Sequence, residues 1–266
     1  MERGVRLAMG SFADSDGMPT SMFHARMIYT IVGSTIAFQC LNITLNFTPA
    51  PQKYYSEPRF RWRNILTSFT HAMISGFCSI FCLYSSPELL DDLIHNVTPM
   101  GEVLVAISVG YFIYDVIDIL LYRSVTNTWP LLIHHIVILF CFGISLYLRS
   151  FIVYSLVSLA AEINSVFLHF RQILLIVNTP KHSAIYRANS AINIVSFLFF
   201  RFGTLVWMFY WLQSHYREVP FLLYCVATVG LITMVIINMV LYKRLLISDF
   251  IARGDKLKKE KSVLEK

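Results

Sequence analysis

The chain has 266 residues, of which 56% are hydrophobic and only 14% are charged. A water-soluble domain is nearer half apolar and about 25% charged, so this composition excludes an ordinary soluble enzyme and indicates a polytopic membrane protein. The net charge of +6 lies mostly in the last 24 residues, where it acts first as a topology signal. No linker rich in Gly, Ser or Pro divides the apolar region, so we expect one membrane domain.

Seven apolar stretches are each close to the length of about 20 residues that crosses the hydrocarbon core. They predict spans at residues 27–47, 64–84, 100–122, 129–148, 151–177, 188–212 and 220–242. Span one is weak, because Gln39 and Asn42 dilute it. The predicted fold class is all-α, with an N-terminal segment that holds the first span and loop (1–58), a membrane domain (59–245) and a basic tail (246–266).

The basic residues predict the orientation of these spans. The loops after spans one, three and five, the neighbouring end of span five at Arg171 and the tail together carry 16 of the 22 Lys and Arg residues. The positive-inside rule places these segments in the cytosol and the N-terminus outside. Arg26 abuts span one and leaves that span's own orientation open. The acidic loop at 85–99, which has no Lys or Arg, is expected on the outer side.

Polar residues recur along one face of three spans, at spacings of three and four that keep side chains on one side of a helix. Such stripes face the bundle interior or a wet cavity. We therefore expect a polar cavity that opens toward the cytosolic leaflet. The stripes are Asn64, Ser68, His71, Ser75 and Cys78 in span two, Ser108, Tyr111, Asp115, Asp118 and Tyr122 in span three, and Ser158, Glu162, Ser165, His169 and Gln172 in span five.

The stretch from Tyr111 to His135 carries the candidate chemistry. Asp115 and Asp118 lie in span three, and the pair His134–His135 opens span four. Histidine suits general-base work near neutral pH, and Asp115 would orient it. Adjacent helical residues point about 100° apart, so one histidine would contact substrate while the other orients it or bonds a neighbouring helix. The alternative is that the pair only joins helices by hydrogen bonds. The sequence gives less support for a metal site, because no H-x-x-x-H or C-x-x-C motif accompanies the pair.

A second group would line the cavity or bind lipid. Arg201, near mid-membrane, calls for an acidic partner such as Glu162 or Asp118, or for a lipid phosphate that its planar fork would bind. Glu162 and His169 share a face and form either an acid–base set or a helix-packing network. The full predicted group is His71, Asp118, Glu162, Asn164, His169 and Arg201.

Four segments together resemble the TLC-domain family, which includes ceramide synthases and translocation-associated membrane proteins. They are RWRNILTSFTHA, SVGYFIYDVIDILL, LLIHHIVILFCFGI and LAAEINSVFLHFRQILL, within Arg59 to Tyr242. The resemblance implies a six-helix barrel around a lipid-accessible cavity, with one extra span. In ceramide synthases a His pair and a later H-D-x-x-D motif carry acyl transfer from acyl-CoA. His134 and His135 match the pair, but the later motif is replaced by Ala160, Ala161, Glu162, Ile163 and Asn164.

The small members of the family are associated with control of membrane phospholipid composition and fluidity, through limiting polyunsaturated phosphatidylethanolamine. The resemblance implies such a regulator at the plasma membrane, with the endoplasmic reticulum as the alternative. Its partners would be membrane phospholipids and a membrane protein, with no nucleic acid and no cofactor. One alternative is an acyl-CoA-dependent lipid acyltransferase that uses His134, His135 and Asp115. A weaker one is an ion-channel modulator or transporter.

Overall fold

A computed structural model describes residues 19–48, 60–122 and 125–251. In these residues all regular structure is helical, and seven helices are long and apolar enough to cross a membrane. The all-α fold predicted from hydropathy is therefore confirmed. The start of the N-terminal segment, most of the basic loop after span one and most of the basic tail lie outside the described residues.

Nine α-helices build the seven spans of the described chain. Span one begins earlier than residue 27, and span six extends past 188–212 at both ends. In chain order, the spans are α1 (Thr20–Thr44), α2 (Phe60–Ser85), α3 (Pro99–Tyr122), α4 (Val125–Leu148), α5 (Ile152–Leu159) with α6 (Glu162–Ile176), α7 (Ala184–Ser196) with α8 (Thr204–Ser214), and α9 (Phe221–Leu246), which continues as a π-helix (Ile247–Ile251).

Span five is interrupted at Ala160 and Ala161, where the chain tightens into a turn. The backbone N–H of Ala161 bonds the carbonyl of Ser158, three residues back rather than four, at 3.2 Å. Gly76 of span two lies directly against this turn: a Cβ built there would come within 2.9 Å of the backbone nitrogen of Ile163. The break and the glycine together let spans two and five approach closely.

Span six contains seven residues of π-helix, Phe197–Gly203, between α7 and α8. Such wide turns are rare, occur mostly as single-turn bulges inside α-helices, and are frequent at functional sites. Arg201 lies within this segment and is only 8% exposed. Its guanidinium carbon sits 5.4 Å from the centre of the Phe197 ring. The π-helix therefore carries a buried positive charge into the interior of the bundle.

Spans two to seven surround a central cavity, to which all six contribute lining residues. Span one lies outside this ring and packs on span three. The contact is close because Gly110 has no side chain: a Cβ there would lie 2.5 Å from the carbonyl oxygen of Ile31. Ser34 donates to the carbonyl of Ile107 at 2.8 Å across the same contact. The arrangement is a six-helix ring plus one extra span.

One end of the bundle carries the connection at 86–98, and we name it the outer end after the predicted topology. Glu102 is fully buried there, at the start of α3. It accepts hydrogen bonds from Arg26 of span one at 2.8 Å and from Nε of Arg149 at 2.7 Å. The Arg149 guanidinium also lies 4.7 Å from the centre of the Phe23 ring. These contacts tie span one to spans three and four.

The opposite end is named the basic end, and a second buried carboxylate organises it. Asp249, in the π-helix that ends span seven, is 6% exposed. It pairs with Arg171 of span five, whose Nε donates at 2.7 Å. It also accepts from the hydroxyls of Tyr186 at 2.7 Å and Ser190 at 2.8 Å, both in span six. Three spans therefore meet at one carboxylate.

Candidate functional site

The central cavity consists of two chambers that meet near mid-depth. The apolar chamber lies toward the outer end and has an empty volume of about 1240 Å³, its open part included. The polar chamber lies toward the basic end and has about 1230 Å³ on the same measure. Phe112, His134, Glu162 and Arg201 line both chambers. We refer to these four residues as the neck.

Aliphatic and aromatic side chains line the apolar chamber almost throughout. They come mainly from the outer halves of spans four to seven. A largely apolar cavity with a few polar groups at one end is typical of sites for small hydrophobic ligands. The lining includes Val137, Ile138, Phe142, Leu159, Leu205, Met208, Ala227 and Leu231.

The polar chamber holds the ionisable side chains of the cavity. Asp115, His135, His169 and Arg244 line it, together with Asn64, Ser68, Ser165 and Gln172. Parts of all three polar stripes therefore reach it. The chamber lies in the half of the bundle nearer the basic end, where the stripes predict a cavity.

Asn64 of span two holds the two aspartates of span three together. Its amide Nδ2 donates to Asp115 Oδ1 at 2.7 Å and to Asp118 Oδ2 at 2.9 Å. All three residues are buried, and a buried carboxylate requires such hydrogen bonds. Asp115 lines the polar chamber. Asp118 is not among the residues that line it, and its hydrogen bond from Asn64 joins spans two and three.

The two histidines have different surroundings. His135 is buried beside Asp115, with 3.2 Å between Nδ1 and a carboxylate oxygen, and its ring packs on Phe112. His134 is half-buried, lines the neck, and makes no hydrogen bond within the described residues. This division follows from the 100° step between adjacent helical residues. The aspartate therefore contacts the buried histidine and not the one that faces the cavity.

Arg201 has neutral hydrogen-bond partners. Its Nε donates to Asn164 Oδ1 at 2.7 Å, Nη1 to Asn238 Oδ1 at 2.8 Å and Nη2 to Ser165 Oγ at 2.8 Å. Among the described residues, no carboxylate oxygen lies within 4.0 Å of its guanidinium nitrogens. The predicted ion pair is therefore wrong. Spans five and seven supply amide and hydroxyl oxygens that satisfy these donors instead.

Glu162 is half-buried and lines the neck at the start of α6. It lies within electrostatic range of Arg201 but makes no ion pair with it. Asp118, the other predicted partner of Arg201, makes no ion pair with it either. His169, two turns further along α6, lines the polar chamber. Glu162 and His169 therefore share one side of the cavity, as their spacing predicts.

His71 and Asn164 lie behind the cavity wall. His71 is 1% exposed and its ring stacks on Tyr111, with 3.8 Å between ring centres. Asn164 is buried and donates from Nδ2 to the carbonyl of Asn193 at 3.0 Å while its side-chain oxygen accepts from Arg201. Neither residue is among those that line the chambers. Each contacts a residue that does line the polar chamber, His71 through Tyr111 and Asn164 through Arg201.

Sequence reasoning missed three residues as parts of the site: Asn64, Ser165 and Asn238. Asn64 and Ser165 belong to the polar stripes of spans two and five, so the stripes already placed them on the inner face. Asn238 stands alone in the apolar run LITMVIINMVLY. An isolated amide in such a run is itself a signal, because an unbonded amide in hydrocarbon is unfavourable. No cluster in the described chain holds three or more His, Cys, Asp or Glu side chains placed to bind a metal ion.

Comparison with known proteins agrees with this architecture. The family model of the TLC domain matches residues 61–246. The chain is 39% identical over 237 residues to TLC domain-containing protein 2 of Danio rerio, covering 88% of this chain and 96% of the relative. It is 33% identical to TLC domain-containing protein 2 of Homo sapiens over 81% of each chain, and 29% identical to TLC domain-containing protein 1 of Homo sapiens over 83% of this chain and 89% of the relative. The chain belongs to the TLC-domain family of multi-pass membrane proteins.

Proposed function

We propose that this protein binds membrane lipid in its two-chamber cavity and thereby regulates the phospholipid composition and fluidity of the membrane, limiting polyunsaturated phosphatidylethanolamine. The observation that carries the proposal is the neck, where an apolar chamber meets a polar one inside the ring of six spans. The proposed location is the plasma membrane, with the endoplasmic reticulum as the alternative. Membrane phospholipids are the proposed partners, and a membrane-protein partner would receive the regulatory signal.

The two chambers match the two parts of an amphiphilic lipid. A hydrocarbon chain in the apolar chamber would exchange contacts with lipid tails for contacts with apolar side chains, so its transfer from the bilayer carries no desolvation penalty. Its polar group would reach the neck or the polar chamber, where amides, hydroxyls and charged groups can form hydrogen bonds. Binding of this kind requires a cavity that matches the lipid in shape and polarity. It does not require a catalytic acid or base placed against the lipid.

Two features favour a non-catalytic mechanism. The synthase H-D-x-x-D motif is replaced by a segment that forms the turn at Ala160 and Ala161. In addition, the carboxylate of Asp115 contacts His135, whereas His134 faces the neck without such a partner. A general base is usually oriented by its own acceptor. The cavity-facing histidine has none among the described residues.

A lipid acyltransferase is the second candidate, and the position of His134 at the neck favours it. A hydroxyl or amine of an acceptor lipid would attack the thioester carbonyl of acyl-CoA. Neutral His134 would accept the acceptor's proton, and CoA would leave as a thiol. His135, held beside Asp115, would position its neighbour through the helix.

Filling the apolar chamber tests lipid binding. Ala227→Phe places a ring in the chamber, and Ala191→Phe places the same ring on the exposed side of span six. We expect purified Ala227→Phe protein to retain less co-purified lipid and to fail to restore phospholipid composition in null cells. Ala191→Phe should behave as the unaltered protein in both assays. Full lipid content and full rescue by a folded Ala227→Phe protein would contradict the proposal.

Incubation with labelled acyl-CoA separates the two mechanisms. The purified protein is given lysophospholipid or amine-lipid acceptors, alongside His134→Gln and His135→Gln variants that are shown to be folded at the assay temperature. We expect no turnover, and we expect both variants to restore phospholipid composition in cells because glutamine is a polar side chain that can hydrogen-bond a bound lipid as histidine can. Turnover that disappears in the variants would establish the acyltransferase instead.

A further inference from the structure

Arg201 is a buried charge without a charged contact in the described residues. Its three hydrogen bonds go to the neutral oxygens of Asn164, Ser165 and Asn238. Burying a charge is unfavourable unless an opposite charge compensates for it. Neutral acceptors satisfy individual N–H groups but leave the net positive charge in place. The neck therefore holds a guanidinium charge that makes no direct ion pair in the described residues, although the carboxylate of Glu162 lies within electrostatic range, and a ligand can contact it.

The partners of Arg201 also hold it rigidly. Asn164 is fixed by donating to Asn193, at 3.0 Å to its carbonyl and 2.9 Å to its side-chain oxygen. Asn238 is fixed by donating to the carbonyl of Met234 at 2.8 Å. The guanidinium is thus positioned by two spans before any ligand arrives. Such preorganisation reduces the entropy lost on binding.

Hydrogen-bond donors remain for a ligand at this position. A guanidinium has five N–H donors, and three are used by the neutral partners. The remaining two belong to the terminal nitrogens, and Arg201 lines both chambers. Arginine recognises phosphate and carboxylate groups with paired N–H donors. Glu162, which lines the same neck, makes no ion pair with Arg201 and so does not occupy this position.

The geometry points to Arg201 as the residue that binds the anionic group of a lipid, phosphate or carboxylate, whose hydrocarbon chain occupies the apolar chamber. This inference rests on the proposed lipid-binding function and adds the charge class of the ligand and its orientation. The anionic group lies at the neck, and the chain extends from there toward the outer end. Glu162 opposes such a ligand by its own negative charge and therefore tunes the affinity.

Three lipids that share one oleoyl chain test the inference: oleate, oleoyl lysophosphatidic acid and mono-oleoylglycerol. They present a carboxylate, a phosphate and a neutral head, and binding to the purified full chain is measured by native mass spectrometry. We expect at least one anionic lipid to bind about ten- to a hundredfold more tightly than the neutral lipid, the range of a charge-assisted hydrogen bond. The anionic lipid that binds more tightly shows whether Arg201 recognises a carboxylate or a phosphate. Equal binding of all three would overturn the inference while leaving lipid binding itself intact.

Variants locate the effect at the neck. Arg201→Gln should reduce binding of the preferred anionic lipid to that of the neutral lipid, without weakening the neutral one. Arg187→Gln removes an exposed arginine of the same span and should preserve the preference. If Arg201→Gln does not fold, Glu162→Gln decides: loss of the opposing charge should tighten anionic binding severalfold and leave neutral binding unchanged. Unchanged or weaker anionic binding in Glu162→Gln would refute the assignment.

Discussion

The charges at the two ends of the bundle and those at the neck are arranged in different ways. At the outer end Glu102 contacts two arginines at 2.7 and 2.8 Å, and at the basic end Asp249 contacts Arg171 directly. At the neck, Arg201 and Glu162 line the same cavity without an ion pair. All these sites are at least partly withdrawn from water, so burial alone does not explain the difference.

The difference separates charges that hold the helices from charges that face the cavity. A buried pair in direct contact fixes the helices that carry it, and breaking such a pair is strongly destabilising. A charged group without a direct ion pair remains available to a ligand. The comparison therefore predicts large stability effects for the paired carboxylates at the ends and small ones for Glu162 and His134 at the neck.

The largest effect is expected for Glu102→Gln. This change leaves Arg26 and Arg149 without their shared counter-charge and should lower the free energy of unfolding by about 3–5 kcal/mol. Glu162→Gln, at the neck, should change it by less than about 1 kcal/mol because it breaks no ion pair. Denaturant unfolding in detergent micelles gives both values. Equal losses would show that the neck carboxylate holds the fold as the outer one does.

The second prediction concerns the basic end. Asp249→Asn removes the charge that Arg171 contacts and weakens the bonds from Tyr186 and Ser190. We expect a loss of about 2–3 kcal/mol, as for a buried hydrogen bond to a charged group. The matched control is Asp91→Asn, an exposed carboxylate in the outer connection, which should stay within about 0.5 kcal/mol. A loss of similar size in both variants would argue against a special role for Asp249.

The sequence predicts the helices and their inner faces well, because both depend on local patterns. Hydropathy locates all seven spans, and spacings of three and four bring Asp115, Glu162 and His169 to one cavity. Span one shows that composition alone does not predict which polar residues are buried between helices. Its Asn42 lowers the hydropathy, yet in the structure it is buried against span three and donates to the Tyr114 hydroxyl at 2.5 Å.

The partners across the bundle were not predictable in the same way. The sequence predicts a carboxylate partner for Arg201, since pairing of opposite charges is the general rule. Its actual partners come from two other spans, and the π-helix shifts the register of span six before Arg201. The tight turn at Ala160 is likewise absent from any local pattern. Such features depend on how the helices pack against one another, and this packing cannot be read from a single sequence.

The third prediction tests the close contact that places Glu162 at the neck. Gly76→Ala puts a methyl group within 2.9 Å of the Ile163 backbone nitrogen and should lower the free energy of unfolding by about 1–3 kcal/mol through overpacking. Gly143, also in a helix, has open space around it. Gly143→Ala should therefore be neutral or stabilise the protein by up to about 1 kcal/mol. Thermal unfolding of the two variants provides the check, and an undisturbed Gly76→Ala protein would contradict the packing.

The smallest effects on stability are expected for His134 and His135. These two residues are adjacent in sequence, but one faces the cavity and the other is buried beside a carboxylate. His135 resembles the groups at the ends of the bundle, because it is buried and contacts Asp115, so His135→Gln should lower the free energy of unfolding by about 0.5–1.5 kcal/mol through the lost contact and ring packing. His134 belongs to the neck, and His134→Gln should stay within about 0.5 kcal/mol. Both are measured by denaturant unfolding under the same conditions. If the order is reversed, His134 holds the helices together and the neck is not a free binding surface. If the order holds, any loss of lipid binding in His134→Gln reports on contact with the ligand, because the fold is unchanged.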